Sequence, residues 1–391
     1  MEITKKIENG ELTIFLDGRI DSANAPEIEE EITKIREENA HESLVLDFDN
    51  VAYISSSGIR ILLRILKAKE KVRVVNTSLE VYEVLEMTGF TELMPVEKAL
   101  RKMSVDGCEV IGHGAKGIVY RYNQDTIIKV YKKGANQSDV DRERDLAKKA
   151  FVLGVPTAIP FGVVRVGDCL GTVFELLDAK SLSELMKDEP ENFDKYIETY
   201  VSLLKSFHEN EADDDIPSIK PLIYSWLDCA RTVLEDDEYE KTKKLLDEVP
   251  ESNTLLHCDY HTNNIMVQNG EALLIDMDTM SKGNVVFDIA NVFATYAGFG
   301  EVDRMNVENF IGLSYDVAVE IWNRFLPMYM EGESAEKIEE ASNAVKVLGY
   351  LRVLRHNIRR GALDTEEGKQ IVDTALKNFR EALSKVSSLA M

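Results

Sequence analysis

The 391-residue sequence is poor in cysteine, in basic residues and in long apolar runs. Its four cysteines, Cys108, Cys169, Cys229 and Cys258, are far apart and form no metal-type pair. No apolar run is long enough to span a bilayer, and the start MEITKKIENG does not have the pattern of a signal peptide. These absences predict a protein of the reducing cytoplasm.

The sequence has 46 basic and 70 acidic residues, which gives a formal net charge of -24. Nucleic-acid binders carry basic patches that neutralise phosphates, and anionic membranes attract basic segments. We therefore expect neither a nucleic-acid partner nor a membrane partner. With 44% apolar and 30% charged residues, the chain has the composition of a globular protein of two or three domains.

The first hundred residues alternate between strand and helix patterns. GELTIFLDGRI, SLVLDFDN and KVRVVN are strand-like, whereas APEIEEEITKIREENA, SGIRILLRILKAKE and SLEVYEVLEMTGF are helix-like. In the second helix we expect Ile59, Leu62, Leu63 and Leu66 to form the buried face. The pattern predicts a small α/β domain over residues 1–103.

A glycine motif follows the domain boundary near RKMSVDG. Gly112, Gly114 and Gly117 form G-x-G-x-x-G within CEVIGHGAKGIVYRYNQDTIIKVYKK, a segment that predicts two strands joined at YNQDT. A dinucleotide fold would place a helix after these glycines. Because a strand-like segment with Val119 follows instead, we expect a hairpin whose backbone N–H groups approach a phosphate.

Lys129 lies within an apolar strand, where an unpaired charge is costly. It either points to solvent at the sheet edge or binds a phosphate while paired to a carboxylate of the next helix. Glu143 is the best placed carboxylate, and Asp139, Asp141 and Asp145 compete with it.

Polar side chains follow the strands of LLHCDYHTNNIM and ALLIDMDT. His257 and Asp259 lie in a short loop, Asn264 precedes a second strand, and Asp276 follows a third. A carboxylate can accept a proton from a hydroxyl, and an amide oxygen with a second carboxylate can hold Mg²⁺. This set is what phosphoryl transfer needs. A zinc site of His257, Cys258 and His261 is the weaker alternative, since the spacing is wrong.

From about Glu109 to the C-terminus, the chain resembles the aminoglycoside phosphotransferase and choline kinase branch of the protein-kinase-like fold. The family pattern H-G-D-x-H-x-x-N followed by I-D is matched at residues 257–264 and 275–276. Cys258 replaces the usual glycine, and Asn263 replaces a residue that often is glycine; since Asn tolerates a left-handed conformation, we expect that change to be mild. The resemblance implies an α+β bilobal domain, with a small β-rich N-lobe over 104–178 and a large helical C-lobe over 179–391.

The resemblance also implies roles for individual residues. Asp259 would be the catalytic base and His257 would support its loop, while Asn264 and Asp276 would bind Mg²⁺. The residues implied to bind ATP are Gly112, Gly114, Gly117, Val119, Lys129 paired to Glu143, and the hinge residues Phe174, Glu175 and Leu176. Asp288 matches the family's structural aspartate, and near a helix start we expect it to cap free N–H groups.

Residues 1 to about 100 resemble a STAS domain, the fold of bacterial anti-sigma factor antagonists. The resemblance rests on the strand and helix order and on VLDFDNVAYISSSGIRILL, which aligns Ser55-Ser56-Ser57-Gly58 with the family's D-S-S-G. Ser56 takes the place of the phosphorylated serine, and Ser55 replaces the aspartate. The alternative is that a serine only caps the helix.

Together these features predict ATP- and Mg²⁺-dependent transfer of the γ-phosphoryl group to a hydroxyl of a small molecule. The short span between Asp276 and Asp288 leaves little room for a long activation segment, which favours a small acceptor. The STAS-like domain would bind a protein partner. The alternatives are a regulatory protein serine kinase that acts on Ser56 and a nucleotide-binding scaffold without turnover.

The segment LRVLRHNIRRG places five basic residues close to one helical face. These residues are Arg352, Arg355, His356, Arg359 and Arg360. Either they form an ion-paired surface, or one or two arginines reach the cleft and bind an anionic acceptor.

Overall fold

The computed structural model describes residues 1–68, 71–114 and 116–391. The chain divides into two compact units, Met1–Ser104 and Val105–Met391. No helix within these described residues is apolar over a length that would cross a bilayer.

The first unit is built on a mixed sheet. Its strands are β1 (Glu2–Glu8), β2 (Glu11–Ile20), β3 (Ser43–Ile54), β4 (Lys71–Thr77) and β5 (Val96–Lys98). They pair in the order β1-β2-β3-β4-β5, with β1 antiparallel to β2 and the remaining pairs parallel. The unit also contains the short strand β6 (Arg101–Lys102), which is not part of this sheet. Parallel neighbours need crossover helices, and this unit supplies them.

Four helices pack against this sheet: α1 (Ala25–Glu38), α2 (Ser56–Lys67), α3 (Leu79–Met87) and α4 (Phe90–Leu93). The predicted inward face of α2 was partly wrong. Of the four predicted residues only Leu62 is fully buried, together with Ile61 and Ile65, and the others are partly buried at its edges. The helix approaches the sheet at Gly58, where an added Cβ would lie 2.6 Å from the Ile20 side chain. The last two residues of the predicted helix segment, 69 and 70, lie outside the described residues.

The second unit begins with an antiparallel sheet. Its strands are β7 (Glu109–His113), β8 (Gly117–Arg121), β9 (Thr126–Tyr131), β10 (Pro160–Val166) and β11 (Cys169–Glu175), and α5 (Gln137–Val152) follows β9. They pair in the order β10-β11-β9-β8-β7. The prediction of two strands before α5 was wrong in number, because three are present. The hairpin expected at the glycine motif is there, since β7 and β8 pair antiparallel across it. Gly167, which has a left-handed φ of 56°, lies in the turn that joins β10 to β11.

The rest of the unit is mainly helical. Its helices are α6 (Leu182–Asp188), α7 (Phe193–His208), α8 (Lys220–Ala230), α9 (Asp236–Asp247), α10 (Val286–Phe293), α11 (Phe299–Val302), α12 (Arg304–Ile311), α13 (Tyr315–Tyr329), α14 (Ala335–Arg359) and α15 (Glu366–Lys385). Its short strands are β12 (Lys180–Ser181), β13 (Leu255–Leu256), β14 (Ile265–Gln268), β15 (Glu271–Leu274) and β16 (Ser281–Lys282). They pair as β12-β14-β15 and β13-β16. α10 is buried along its whole length and packs beside α14.

Candidate active site

The loop that follows β13 is held by a buried carboxylate. Asp288 accepts hydrogen bonds from the backbone N–H groups of His257 at 2.7 Å and Cys258 at 2.8 Å, and from Nε2 of His208 at 3.1 Å. Burial alone would raise the pKa of Asp288. The hydrogen bond and charge of His208, together with the backbone N–H donors, outweigh burial and lower this pKa. The prediction that Asp288 caps its own helix was wrong. It instead anchors the loop that carries Asp259.

Cys258 has a left-handed backbone, with φ of 65°. A residue with a Cβ pays about 1–2 kcal/mol in this conformation, which gives a physical reason for a glycine here. Asn263 lies in a short 3₁₀ turn over Thr262–Asn264 and is not left-handed, so this position places no special demand for glycine. The backbone strain of this loop therefore lies at Cys258, whose N–H is hydrogen-bonded to Asp288.

The Asp259 carboxylate lies between the guanidinium of Arg352 and the imidazole of His261. Its Oδ1 is 3.0 Å from Nη2 of Arg352, and its Oδ2 is 3.6 Å from Nε2 of His261. Its backbone carbonyl accepts a hydrogen bond from the Asn264 amide at 3.0 Å. Burial would raise the pKa of Asp259, but the hydrogen bond of His261 and the charge of Arg352 outweigh it and lower the pKa. The carboxylate is therefore ionised at neutral pH.

His257 is fully buried, and its Nδ1 accepts a hydrogen bond from the backbone N–H of Asp259 at 3.3 Å. Burial lowers its pKa, so the ring is neutral. A neutral ring that bonds backbone suits the supporting role implied for His257. In the part of the chain that the structure describes, His257, Cys258 and His261 do not converge as a metal-ligand set.

Lys129 connects three distant segments. Val119 of β8 and Thr172 of β11 flank it, so it lies on the central strand rather than at the sheet edge. Its Nζ is 2.6 Å from Oε1 of Glu143 and 3.0 Å from Oδ1 of Asp276. Burial would lower the pKa of Lys129, but these two carboxylates raise it, so it stays charged. Lys129 thus joins the β-sheet to α5 and to the end of β15.

The sequence interpretation missed two charged residues of this site. Lys116, beside the last glycine of the motif, bonds the Asp278 carboxylate and lies 3.4 Å from Glu143. Burial and the charge of Asp276 raise the pKa of Asp278 to about 6, although Lys116 opposes the shift. The signal that could have found Asp278 is the D-x-D spacing with Asp276.

Three carboxylates converge within ligand distance of a common point. Oxygens of Glu143, Asp276 and Asp278 all lie within 4.8 Å of one another. Carboxylate and amide oxygens are the ligands that Mg²⁺ prefers. The backbone carbonyl of Asn264 accepts a 2.9 Å hydrogen bond from the N–H of Ile275, the residue before Asp276. The donor chemistry fits a magnesium ion, with Asp276 and Asp278 as the carboxylates beside Asn264.

The three motif glycines differ in what the fold requires of them. A Cβ on Gly117 would clash with the backbone carbonyl of Val130 on β9, whereas at Gly112 and Gly114 it would make only ordinary contacts at 3.5 and 3.7 Å. The N–H of Gly114 donates to the carbonyl of Gly117 at 2.8 Å, which closes the turn; Ala115 within it lies outside the described residues. Gly117 is thus needed for strand packing, and the other two are free of that constraint.

The predicted hinge lies at the end of β11. Phe174 pairs with Ile127, and Glu175 pairs with Thr126. The backbone N–H of Leu176 donates to Asp125 at 2.8 Å, so this donor is already used within the protein.

The serines of the first unit have separate roles in the structure. Ser55 is the N-cap of α2, and its hydroxyl accepts a 3.4 Å hydrogen bond from the N–H of Gly58. Ser56 is exposed in the first turn, and its hydroxyl has no hydrogen bond to the described residues. Capping therefore belongs to Ser55 and leaves Ser56 accessible.

Comparison with known proteins agrees with this architecture. The STAS domain model matches residues 2–103, and the phosphotransferase enzyme family model matches residues 107–320. BtrV of Bordetella bronchiseptica, whose name describes it as a putative anti-sigma factor antagonist, is 32% identical over 100 residues, which are 25% of this chain and 85% of that protein.

Two solved structures align with most of the chain. A choline/ethanolamine kinase family protein of Mesorhizobium loti is 13% identical and covers 71% of this chain and 91% of its own, with a TM-score of 0.47. The streptomycin-ATP-APH(2")-IIa ternary complex is 15% identical and covers 79% and 99%, with a TM-score of 0.42. The predicted fold class, a STAS-like unit followed by a kinase-like unit, is confirmed by the family matches. The chain belongs to the phosphotransferase enzyme family and carries a STAS domain over residues 2–103.

Proposed function

We propose that the second unit is an ATP- and Mg²⁺-dependent phosphotransferase that acts on a hydroxyl of a small molecule. The observation that carries this proposal is the convergence of Lys129 with Glu143 and Asp276, which come from a strand, a helix and a loop far apart in sequence. A buried lysine held by two carboxylates is costly to maintain unless its charge is used. Phosphoryl transfer uses such a lysine on the nucleotide phosphates.

The nucleotide would lie over residues 104–178. The turn of Gly112 and Gly114 would cover its phosphates beside Val119, and the end of β11 would face the adenine. Lys129 and Lys116 would contact phosphate oxygens. Bound Mg²⁺ would offset the negative charge of the phosphates, and Asn264, Asp276 and Asp278 are the residues that would hold it.

Asp259 would orient the acceptor, which would bind within residues 179–391. Its carboxylate accepts the hydrogen bond of the hydroxyl and then the proton, while the hydroxyl oxygen forms a bond to the γ-phosphorus. The bond from that phosphorus to the β,γ-bridging oxygen breaks, and ADP leaves with the electron pair. Because Asp259 is ionised and its loop is fixed by Asp288, it is ready to accept this hydrogen bond.

Asp259→Asn tests this mechanism, because an amide keeps the shape but cannot take the proton. We expect phosphate transfer to fall about 10²–10⁴-fold, while ATP binding measured by calorimetry persists. Asp316→Asn is the matched control, since the Asp316 side chain is 89% exposed. Full transfer by Asp259→Asn to any hydroxyl acceptor would refute the role of Asp259.

A second candidate function concerns the STAS domain. The exposed Ser56 hydroxyl, which is not used by the helix cap, supports a modification site at the start of α2, where free N–H groups favour a phosphate. We infer that this domain binds a protein partner and that Ser56 accepts phosphate from this or another kinase. Phosphosite mapping after incubation with Mg-ATP, with Ser56→Ala as control, tests transfer by this chain. Transfer only to small hydroxyl compounds would exclude such self-modification.

A further inference from the structure

A row of three arginines, of which only the first is ion-paired, lies on the helix that contacts the Asp259 loop. The chain has a net charge of -24, yet residues 341–363 contain no carboxylate. Within this span Arg352, Arg355 and Arg359 are spaced by three and four residues on the continuous helix α14, which places them on one face. We call these three residues the arginine row.

The row has few partners of opposite charge. Arg352 reaches the site, where it bonds Asp259 at 3.0 Å and the Asn291 side-chain oxygen at 2.8 Å. Neither Arg355 nor Arg359 forms an ion pair with any residue that the structure describes. Burial, and then the positive charges of Arg359 and Arg352, lower the pKa of Arg355. Like charges at this spacing destabilise a helix, so the row carries a cost that an anion would remove.

The position of the row decides which reactant such an anion belongs to. The lysines proposed for the ATP phosphates, Lys116 and Lys129, contact Glu143, Asp276 and Asp278. Arg352 instead contacts Asp259, the residue proposed to receive the acceptor's proton. The anionic group therefore belongs to the acceptor and not to the nucleotide.

We propose that the acceptor is a small hydroxyl compound with a carboxylate or phosphate group, bound by Arg352 and Arg355. This inference rests on the proposed function. The planar guanidinium donates two parallel hydrogen bonds to either group. Arg352 would hold the anion near the reacting hydroxyl, and Arg355, which is half-buried one turn further along α14, would extend the contact. The same positive charges would repel an acceptor that carries an ammonium group.

The test compares acceptors of three charge classes at equal concentration with Mg-ATP. D-glycerate and sn-glycerol 3-phosphate are the anionic probes, glycerol is neutral, and choline and ethanolamine are cationic. We expect the highest kcat/KM with an anionic probe, and the two anionic probes separate a carboxylate site from a phosphate site. A neutral or cationic compound as the best acceptor would overturn the proposal.

Variants of Arg355 test whether the arginine row causes the preference for anionic acceptors. We expect Arg355→Gln to raise KM for the best anionic probe at least about tenfold, as for the loss of one charge-assisted bond, and Arg355→Lys to restore part of it. Arg360→Gln is the matched control: it removes the same charge from an exposed residue just beyond α14, and its KM should stay within twofold. An unchanged KM in Arg355→Gln would overturn the proposal.

A binding measurement separates this inference from the proposed function. Calorimetry with a non-hydrolysable ATP analogue records whether each probe binds, independently of transfer. If anionic probes bind and Arg355→Gln weakens them but no phosphate is transferred, the anion site stands and the phosphotransferase proposal fails. If transfer occurs with no preference for anionic probes, the phosphotransferase stands and the anion site fails.

Discussion

Asp288→Asn tests the anchor of the catalytic loop. The carboxylate is fully buried; its Oδ1 accepts from the N–H of Cys258, and its Oδ2 accepts from the N–H of His257 and from His208. An asparagine of nearly equal volume leaves no cavity. It replaces one acceptor oxygen by an NH₂ group, which then faces N–H donors, so the side chain can satisfy only part of this set.

The expected loss follows from these contacts. With the amide oxygen toward His257 and His208, the hydrogen bond from the Cys258 N–H is lost, and the other two bonds no longer go to a charged group. A hydrogen bond to a charged group is worth about 1.5–3 kcal/mol, and the cost of burying the carboxylate, which the amide does not pay, offsets part of the loss. We expect the unit to lose about 3 kcal/mol of unfolding free energy. The unit spans Val105–Met391, and at about 2.1 cal/mol/K of unfolding entropy per residue this loss lowers Tm by roughly 5 °C.

Scanning calorimetry of the full chain measures this change in the transition of the second unit. Asp316→Asn is the control, because it removes an exposed carboxylate of the same unit and should change stability by less than about 0.5 kcal/mol. Phosphate transfer should also fall, since the loop that carries Asp259 loses its anchor. A Tm shift no larger than that of the control would refute the anchoring role of Asp288.

Three further changes test separate parts of the chain. Gly117→Ala should lower Tm, because the added Cβ would clash with the backbone of β9. Gly114→Ala should leave Tm unchanged and raise only the KM for ATP. Equal Tm values for the two variants would contradict the packing argument. Ser55→Ala should lower the free energy of unfolding by about 1 kcal/mol through the lost N-cap, as measured by denaturant unfolding. Ser56→Ala should stay within about 0.5 kcal/mol of the wild type. The reverse order would identify Ser56 as the cap. Lys116→Ala should raise the KM for ATP about tenfold through the loss of one charge-assisted contact, and an unchanged KM would place Lys116 outside the nucleotide site.

Sequence patterns predicted the order of elements well, because local periodicity and turn residues determine it. The segments around β13, β14 and β15 could be identified since each is a short apolar run bounded by polar residues. A hairpin at the glycines was expected, but the number of strands before α5 was not, because a tight glycine turn between two strands resembles one longer strand. The inward face of α2 was also missed, since Gly58 controls how that helix approaches the sheet and has no apolar side chain to signal it.

Side-chain pairing across long sequence separations was harder to predict. Glu143 was preferred over three aspartates of the same helix, and the structure brings it to Lys129. Lys116 was missed because its partner Asp278 lies 162 residues away. Asp288 was assigned to its own helix because nothing local shows that the chain returns to meet it. In each case tertiary packing supplies the partner.

The charges of the site explain why its two ends suit different reactants. At the proposed nucleotide end, Glu143, Asp276 and Asp278 outnumber Lys116 and Lys129, which would favour a divalent cation bound together with the polyphosphate. At the acceptor end, the single carboxylate of Asp259 faces Arg352, and the arginine row continues beyond it without carboxylates among the described residues. The excess of negative charge over the whole chain therefore does not describe its cleft. The proposed pair of reactants, a metal-loaded nucleotide and an anionic acceptor, would balance the charges of both ends.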